Sequence, residues 1–389
     1  MRDVRKNSDL SPCIRPVGIL KLKCNFAQAL WSGIVGLLAF WGVGLAPGLM
    51  AAEIGAAELA PYNVVWDSPS EDSSGSMPLG NGEIGINLWV EKSTGDVVLY
   101  LARGDAWTEN VVLYRGDYAL PKVGRVRVKL GNAAFLNPVH YRQEYDLATA
   151  SVTVEAGGTK LRAWVDANRP VVHLEFTSAA PFQLRAGIDT YRKEEMRGTL
   201  KFQKVLWSDV LKPIGDDDGL ILSKDILLDP RPSQIGWCYR NQNPYGIPEL
   251  KNWTFGAIVR GAGMKPSGAS SLESKEASLK HDVEVAAFAF KAESVSDWQS
   301  EAQQRMEKIP STTAEADWKA HAAWWHRFWN RSYIFVEGDR EAWAVTQGYL
   351  LARQLQAFQA RGAFPIKFNG GLFNFDSRCK VRNLSLIHI

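Results

Sequence analysis

Short runs in which apolar and polar residues alternate recur from about residue 62 to residue 291. A period of two places successive side chains on opposite faces of a β-strand. Turns rich in Gly, Pro, Asn and Asp separate the runs, and no longer unit repeats as a propeller or solenoid would require. The pattern predicts a large antiparallel β-sandwich. The predicted strands cover residues 96–102, 125–130, 150–156, 160–167, 171–176, 183–189, 219–223, 254–260 and 282–291.

Helical spacing replaces the alternation after residue 292. Ser294 with Asp297, and Thr312 with Glu315, have the spacing of a capping box, in which a hydroxyl and a carboxylate bind free amides of the first helical turn. Pro310 and Gly362 follow two of the helical stretches, as residues that end helices do. We therefore predict helices over 295–308, 313–331 and 340–360.

Tryptophan is unusually abundant, with 15 of 389 residues. Trp318, Trp325 and Trp329 recur at helical spacing on one face of the second predicted helix, with Phe328 beside them. An aromatic face of this size is expected to be buried against a large partner element. If it is not covered, it is an aggregation hazard.

Residues 1–57 have the layout of a secretory signal. A basic leader precedes an uncharged stretch from Asn25 to Ala52, which ends in small residues. Cleavage is expected after Ala51, Ala52 or Ala57, which places the protein in the periplasm or outside the cell. The alternative is an uncleaved membrane anchor, because about 20 apolar residues span a bilayer.

The net charge of +3 comes from this leader. Residues 1–57 carry six basic and three acidic residues, so the remainder carries 39 of each sign. Nucleic-acid binding requires a clustered basic surface, and this sequence does not provide one.

No cofactor or metal site is predicted. The four cysteines show no CxxC spacing, and Cys238 is expected to be a small buried apolar residue. The "GDDDG" run at 215–219 lacks the spaced pattern of a calcium loop and is interpreted as a solvated turn. His321 and His326, five residues apart, do not share a helix face. Phosphate-loop, dinucleotide, HExxH and GxSxG motifs are absent.

Four stretches together resemble one known family, over roughly residues 61–376. It is the domain-of-unknown-function family 5703 (DUF5703), whose exported bacterial members are similar to the α-L-fucosidase-like enzymes of glycoside hydrolase family 95. The resemblance implies a mainly β fold: a large antiparallel β-supersandwich followed by linker helices and an (α/α)6, six-hairpin glycosidase barrel. It also implies inverting hydrolysis of a glycosidic bond. The stretches are "MPLGNGEIGINLWVE" (77–91), "LARGDAWTEN" (101–110), "WWHRFWNRSYI" (324–334) and "RGAFPIKFNGGLFNFD" (361–376).

The resemblance also implies a domain organisation in which the barrel is incomplete. In the family-95 enzymes the catalytic acid and base lie on the barrel, beyond a loop whose counterpart here is "PIKFNGG" at 365–371. Only the first barrel helix is expected in this chain, so no residue inherits either role. The expected segments are a targeting segment (1–57), a β-sandwich (58–292), a helical linker (293–337) and the start of the barrel (338–383).

The last six residues, 384–389, have a separate interpretation. "LSLIHI" matches the translation of a transposon-end sequence used in sequencing libraries, so we expect an adapter-derived tail. The alternative is a natural hydrophobic tail.

The function expected from this organisation is that of an N-terminal fragment of a glycoside hydrolase-like protein, inactive alone. The alternative is a non-catalytic carbohydrate-binding or structural module. In either case the expected partner is an oligo- or polysaccharide, with no nucleic acid and no membrane after signal cleavage.

Three segments contain candidate sugar-binding residues, because aromatic faces stack on sugar rings and short polar side chains bind hydroxyls. The densest is 235–246, "IGWCYRNQNPYG", interpreted as a loop; packing between domains is the alternative. "GDAWTEN" (104–110) is more simply a packed strand end, and "IKFNGG" (366–371) is either a pocket loop or an interior barrel turn. The candidates are Trp237, Tyr239, Arg240, Asn241, Asn243, Asp105, Trp107, Lys367 and Asn369.

Overall fold

The structure is a computed structural model that describes most of the chain. The described residues are 21–24, 53–110, 117–190, 192, 224–242, 247–309, 313–364 and 372–373. The expected strand at 219–223 and the turn at 215–219 therefore lie outside the described residues.

Strands dominate the described part of the chain. In chain order they are β1 (Lys21–Cys24), β2 (Val64–Trp66), β3 (Met77–Gly80), β4 (Ile84–Val90), β5 (Val97–Arg103), β6 (Thr108–Asn110), β7 (Asp117–Ala119), β8 (Gly124–Leu130), β9 (Tyr141–Asp146), β10 (Ser151–Ala156), β11 (Thr159–Val165), β12 (Val171–Phe182), β13 (Leu184–Asp189), β14 (Asp225–Leu227), β15 (Gln234–Arg240), β16 (Trp253–Gly261), β17 (Met264–Pro266), β18 (Ser271–Ser274), β19 (Ser278–Lys291) and β20 (Ile334–Glu337). The helices are α1 (Ala56–Leu59), α2 (Val295–Lys308), α3 (Ala314–Trp329) and α4 (Arg340–Gln359).

The chain divides into two compact units. The smaller combines residues 1–52 with 331–350, and the larger combines 53–330 with 351–389. In the smaller unit β1 pairs antiparallel with β20, with Lys21 opposite Glu337. The Val336 amide donates to the Thr346 hydroxyl at 2.9 Å. Within the segment expected to be a targeting signal, β1 is described, and residues 25–52 lie outside the described part.

Two large antiparallel sheets make up most of the larger unit, as the alternation predicts. One has nine strands in the order β14-β15-β16-β19-β12-β11-β10-β9-β2, and the other has seven in the order β17-β18-β13-β8-β5-β4-β3. In β8 the alternation is visible in the burial of every second residue. By contrast, β4 and β5 are buried throughout. The Arg103 guanidinium on β5 donates to the Ala287 carbonyl on β19, which joins the two sheets.

Helix α2 covers part of the nine-stranded sheet. Trp298, Ala302 and Met306 lie one helical turn apart and pack on Cys238 and Ile258 of that sheet. Cys238 is fully buried, and burial raises the pKa of its thiol to about 12. This confirms the expected role of Cys238 as a small apolar core residue.

Helix α3 buries the aromatic face that the sequence predicts. Trp325 and Trp329 are fully buried, whereas Trp318 is half-buried beneath the Arg162 guanidinium, 4.3 Å from its ring. The N-terminal cap is Thr313, whose hydroxyl accepts from the Ala316 amide at 3.2 Å. The predicted cap at Thr312 was wrong by one residue, because two consecutive threonines allow either register.

The remaining helical predictions agree with the structure. Ser294 caps α2 by accepting from the Asp297 amide at 3.0 Å, and α2 and α4 have almost the predicted ends. No helix among the described residues is both long and apolar enough to span a bilayer.

Several strands were not predicted from the sequence, and two of them show why. Residues 235–240 of the predicted loop 235–246 lie in β15, which is buried on both faces and therefore shows no alternation. No strand was predicted at β9, because its sequence YRQEYD contains no aliphatic residue. In the fold Tyr141, Gln143 and Tyr145 of this strand nevertheless occupy every second, buried position.

Candidate functional site

A cleft of about 290 Å³ opens at one end of the two sheets in the larger unit. Its walls are the turn between β3 and β4, the loop after β5, the turn after β11 and the chain after α4. Nine of its twelve lining residues belong to the stretches that resemble a known family. The lining residues are Asn81, Gly82, Glu83, Gly104, Asp105, Ala167, Asn168, Arg169, Arg361, Gly362, Ala363 and Phe364.

The turn between β3 and β4 is locked by the Asn81 side chain. Its amide nitrogen donates to the carbonyl oxygens of Asp166 at 2.8 Å and Arg169 at 2.7 Å. Its oxygen accepts from the amides of Glu83 and Ile84, each at 3.0 Å. All of its hydrogen-bonding groups are therefore engaged, and Asn81 holds two walls of the cleft together.

Glycine allows the end of α4 to approach this turn closely. The Gly82 amide donates to the Phe358 carbonyl at 2.8 Å. Gly82 has φ +91°, and a Cβ there would lie 2.4 Å from the Cβ of Arg361. A Cβ on Gly362 would lie 2.1 Å from the Gly82 oxygen. Neither site has room for a side chain, so the two glycines bring their segments together.

Two carboxylates in the cleft share one guanidinium. Arg103 Nη2 lies 2.6 Å from Glu83 Oε1 and 3.1 Å from Asp105 Oδ2, and Arg103 Nε lies 2.6 Å from Asp105 Oδ1. The Glu83 side chain is 41% exposed, whereas Asp105 is buried. Burial raises the pKa of Asp105, even though the Arg103 charge opposes this shift. The cleft therefore contains one open and one enclosed carboxyl group.

On the opposite wall, Arg169 bridges two further carboxylates. Its Nη2 lies 2.5 Å from Asp166 Oδ2 and 2.5 Å from Asp317 Oδ1, the latter on α3. Burial alone would raise the pKa of Asp166, but the nearby His173 ring and the hydrogen bonds from the Asn168 amide and Arg169 lower it to about 2. Asp166 is therefore ionised at any physiological pH, and it orients Arg169.

Arg361 forms the third side of the cleft. Its Nη2 donates to the Ala167 carbonyl at 2.7 Å, and its guanidinium lies 3.5 Å from the centre of the Trp324 ring on α3. This geometry is a close cation–π contact. The family-like stretch 324–334, which contains Trp324, thus supports the cleft from behind.

A buried histidine lies beneath the Ala167 wall. His321 Nδ1 accepts from the Ala167 amide at 3.1 Å, and Nε2 lies 2.6 Å from the Thr149 carbonyl oxygen. The carbonyl only accepts, so the proton resides on Nε2. Burial lowers the pKa of His321 to about 4, and the ring is neutral at pH 7.

The predicted residues of 235–242 meet those of "GDAWTEN", but in the interior of the protein. The Thr108 hydroxyl lies 3.2 Å from the Tyr239 hydroxyl and donates to Asn241 Oδ1 at 2.8 Å. Asn241 Nδ2 donates to the carbonyls of Trp107 and Trp253. This network supports the Asp105 loop behind the cleft, so its members hold the wall and do not line it.

Trp237, Tyr239 and Asn241 are therefore not surface sugar-binding residues of a loop. Trp237 is completely buried, and its Nε1 donates to the Val123 carbonyl at 2.9 Å. Tyr239 stacks on Phe255 with ring centres 4.9 Å apart. Aromatic and amide side chains are as common in packed strands as in glycan sites, which is why composition alone misplaced them.

The other predicted residues have mixed outcomes. Asp105 lines the cleft, and half-buried Trp107 packs edge-to-face on Tyr118. Arg240 donates to the carbonyls of Ala292 and Glu293 and thereby joins β15 to the end of β19. The remaining three, Asn243, Lys367 and Asn369, lie outside the described residues.

Sequence reasoning missed most residues of the cleft, among them Asn81, Glu83, Arg169, Arg361 and Phe364. The signal that could have found two of them was present, since Asn81 and Glu83 flank a glycine directly between two strands. Such turns often hold functional groups on a rigid scaffold. Arg169 carries no comparable signal, because its role depends on Asp317, far away in sequence.

Comparison with known proteins gives a family and a similar solved structure. A search of curated proteins finds no match. Among solved structures, a putative kojibiose phosphorylase from the human microbiome is similar, with a TM-score of 0.48 and 12% identity. The alignment covers 76% of this chain and 42% of that one, so the chain spans less than half of the length of this neighbour.

A family model described as a domain of unknown function, DUF5703, matches residues 65–334. This range contains most of the chain and three of the four stretches that carry the resemblance. The stretch 324–334 ends at the last matched residue. The chain belongs to the DUF5703 family.

Proposed function

We propose that the cleft binds carbohydrate and that the chain is the β-sandwich part of an exported glycoside hydrolase-like protein. One observation carries the proposal: the family-like stretches, far apart in sequence, converge on the cleft. Three of them supply its walls, and the fourth supplies Trp324 behind Arg361. Walls built from such separated segments are typical of a ligand site.

The chemistry of the lining also suits a sugar. The Glu83 carboxylate accepts hydrogen bonds, and Asn168 both donates and accepts them. Phe364, which is 42% exposed, offers an apolar face beside these polar groups. Sugars present hydroxyls around an apolar ring face, so a small polar cleft with one aromatic edge is complementary to them.

We assign neither catalytic carboxyl role to the described residues. Glu83 and Asp105 both contact Arg103, and this pairing suits them to holding a wall and accepting hydrogen bonds. In this proposal, α4 is the first helix of an (α/α)6 barrel that contributes the acid and base in the whole protein. The support is the family resemblance and the position of residues 361–364 at the cleft.

A glycan array with the purified chain tests the binding proposal. We expect binding to specific glycans and a loss of at least about tenfold for Phe364→Ala, because the exposed ring contributes contact and little to the core. Trp343→Ala is the matched control, since Trp343 is 39% exposed and is not among the cleft-lining residues. Equal losses in both variants, or no binding by the wild type, would reject the proposal.

Export is proposed from the layout of residues 1–57. Expression of the full chain in a bacterium, followed by N-terminal sequencing of the periplasmic fraction, tests it. The expected new N-terminus follows Ala51, Ala52 or Ala57. Exported protein that begins at Met1 would contradict cleavage.

A further inference from the structure

Charged groups of both signs surround the cleft. In the described part of the chain three guanidiniums lie around it, from Arg103, Arg169 and Arg361. Four carboxylates surround them, from Glu83, Asp105, Asp166 and Asp317. The ligand meets whichever of these groups faces the opening of the cleft.

The positive groups are directed into the protein. Arg103 contacts two carboxylates and the Ala287 carbonyl, and its side chain is 8% exposed. Arg169 lies between Asp166 and Asp317. Arg361 lies against the Trp324 ring and donates to Ala167. An anion entering the cleft would therefore compete with protein acceptors for every one of these arginines.

The negative side is the open side. The Glu83 side chain is much more exposed than that of Asp105, and only one of its oxygens is drawn toward Arg103, at 2.6 Å. A carboxylate with a free oxygen accepts hydrogen bonds from hydroxyl groups and more strongly from an ammonium group. The ligand therefore meets a carboxylate acceptor at the opening of the cleft.

We propose that the cleft selects sugars by charge, with Glu83 as the specificity-determining residue: amino sugars bind best, neutral sugars bind less tightly, and uronic acids bind worst. This inference rests on the proposed carbohydrate function and names the ligand class of the same site. The order follows from the position of the Glu83 carboxylate at the opening and from the engagement of the arginines within the protein.

The experiment measures binding to matched sets of methyl glycosides. Each of the gluco, galacto and manno configurations is used as the 2-amino, the neutral and the uronate form. For the configuration that binds, we expect the amino form to exceed the uronate by about fivefold or more at low salt, with the ratio shrinking in 0.5 M NaCl. Glu83→Gln, which still accepts from Arg103, should remove most of this ratio.

Glu71→Gln is the matched control. It removes the same charge from an exposed residue that is not among the cleft-lining residues, and it should leave the ratio unchanged. A uronate that binds as tightly as the amino form overturns the charge selection and leaves the carbohydrate proposal intact. An equal effect of both substitutions also overturns it. Failure of all nine glycosides to bind rejects both proposals.

Discussion

At the scale of single residues, His321 makes stability depend on pH. Its pKa is about 4 in the folded protein, below the value of 6.5 for an exposed histidine. Between these pH values the unfolded chain takes up a proton that the folded chain cannot. The contribution of His321 to stability is therefore complete above pH 6.5 and is lost as the pH falls toward 4.

Chemical denaturation at a series of pH values measures this effect. We expect the free energy of unfolding to fall by up to about 3 kcal/mol between pH 6.5 and pH 4, at roughly 1.4 kcal/mol per pKa unit. His321→Gln keeps an acceptor for Ala167 and a donor for Thr149 but does not titrate. In that variant the free energy of unfolding should fall less between pH 6.5 and pH 4, by the amount that His321 contributes. Identical pH profiles for both proteins would contradict the assignment.

Gly82 illustrates a second constraint on a single residue, the lack of space for a side chain. We expect Gly82→Ala to destabilise the protein by about 1–3 kcal/mol more than Gly268→Ala. Both glycines have positive φ, +91° and +84°, so both variants place a side chain where the backbone disfavours one. Only Gly82 would place its new methyl group against Arg361, since nothing lies within 4 Å of the Gly268 site. Thermal unfolding of both variants gives the difference, and equal melting temperatures would exclude a steric role.

At the scale of elements, α2 and α3 each bury a tryptophan, and the two tryptophans differ in one hydrogen bond. Trp298 Nε1 donates to the Thr254 carbonyl at 3.1 Å. Trp325 Nε1 has no acceptor among the described residues. Both side chains are fully buried, so a change to Phe removes similar volume from each.

We therefore expect Trp298→Phe to cost more stability than Trp325→Phe, by about 1 kcal/mol. Urea denaturation of the two variants provides the comparison. If Trp325→Phe were the more damaging change, the hydrogen bond of Trp298 would not be what distinguishes the two sites. Shape complementarity at the Phe328 and Phe358 rings around Trp325 would then dominate.

Elements with one covered face could be predicted from the sequence. Strands β8 and β10 alternate because one face meets the other sheet, and α2 has a cap and a stripe that identify its ends. Strand β15 could not be predicted, because α2 covers one face and the second sheet the other. Burial on both sides removes the contrast on which periodicity depends.

The site was predictable only in part, for a related reason. Asp105 lay in a recognised motif, and the structure places it in the cleft. The function of Arg169 arises from an ion pair between the turn after β11 and helix α3. A contact between such distant positions leaves no trace in local composition or spacing, so one sequence cannot reveal it.

At the scale of the whole molecule, we expect the chain to bind carbohydrate without cleaving it. Residues 58–383, purified without the targeting segment, should turn over no aryl glycoside, because no described carboxylate is assigned as acid or base. A panel of p-nitrophenyl glycosides, with an active glycosidase as positive control, measures this. Turnover that disappears in Glu83→Gln would instead make Glu83 catalytic.

The pairing of β12 with β19 also has a consequence for biosynthesis. Val171 lies opposite Ala286 and Phe182 opposite Ser278, so β12 receives its second neighbour only after the chain between Phe182 and Ser278 has been made. At about 5–20 residues per second, the ribosome needs roughly 5–20 s for this stretch. During that time the apolar β12 has an open hydrogen-bonding edge, which is a template for pairing with other nascent chains. For those seconds of its synthesis the newborn protein therefore exposes an edge that the finished protein covers with β19.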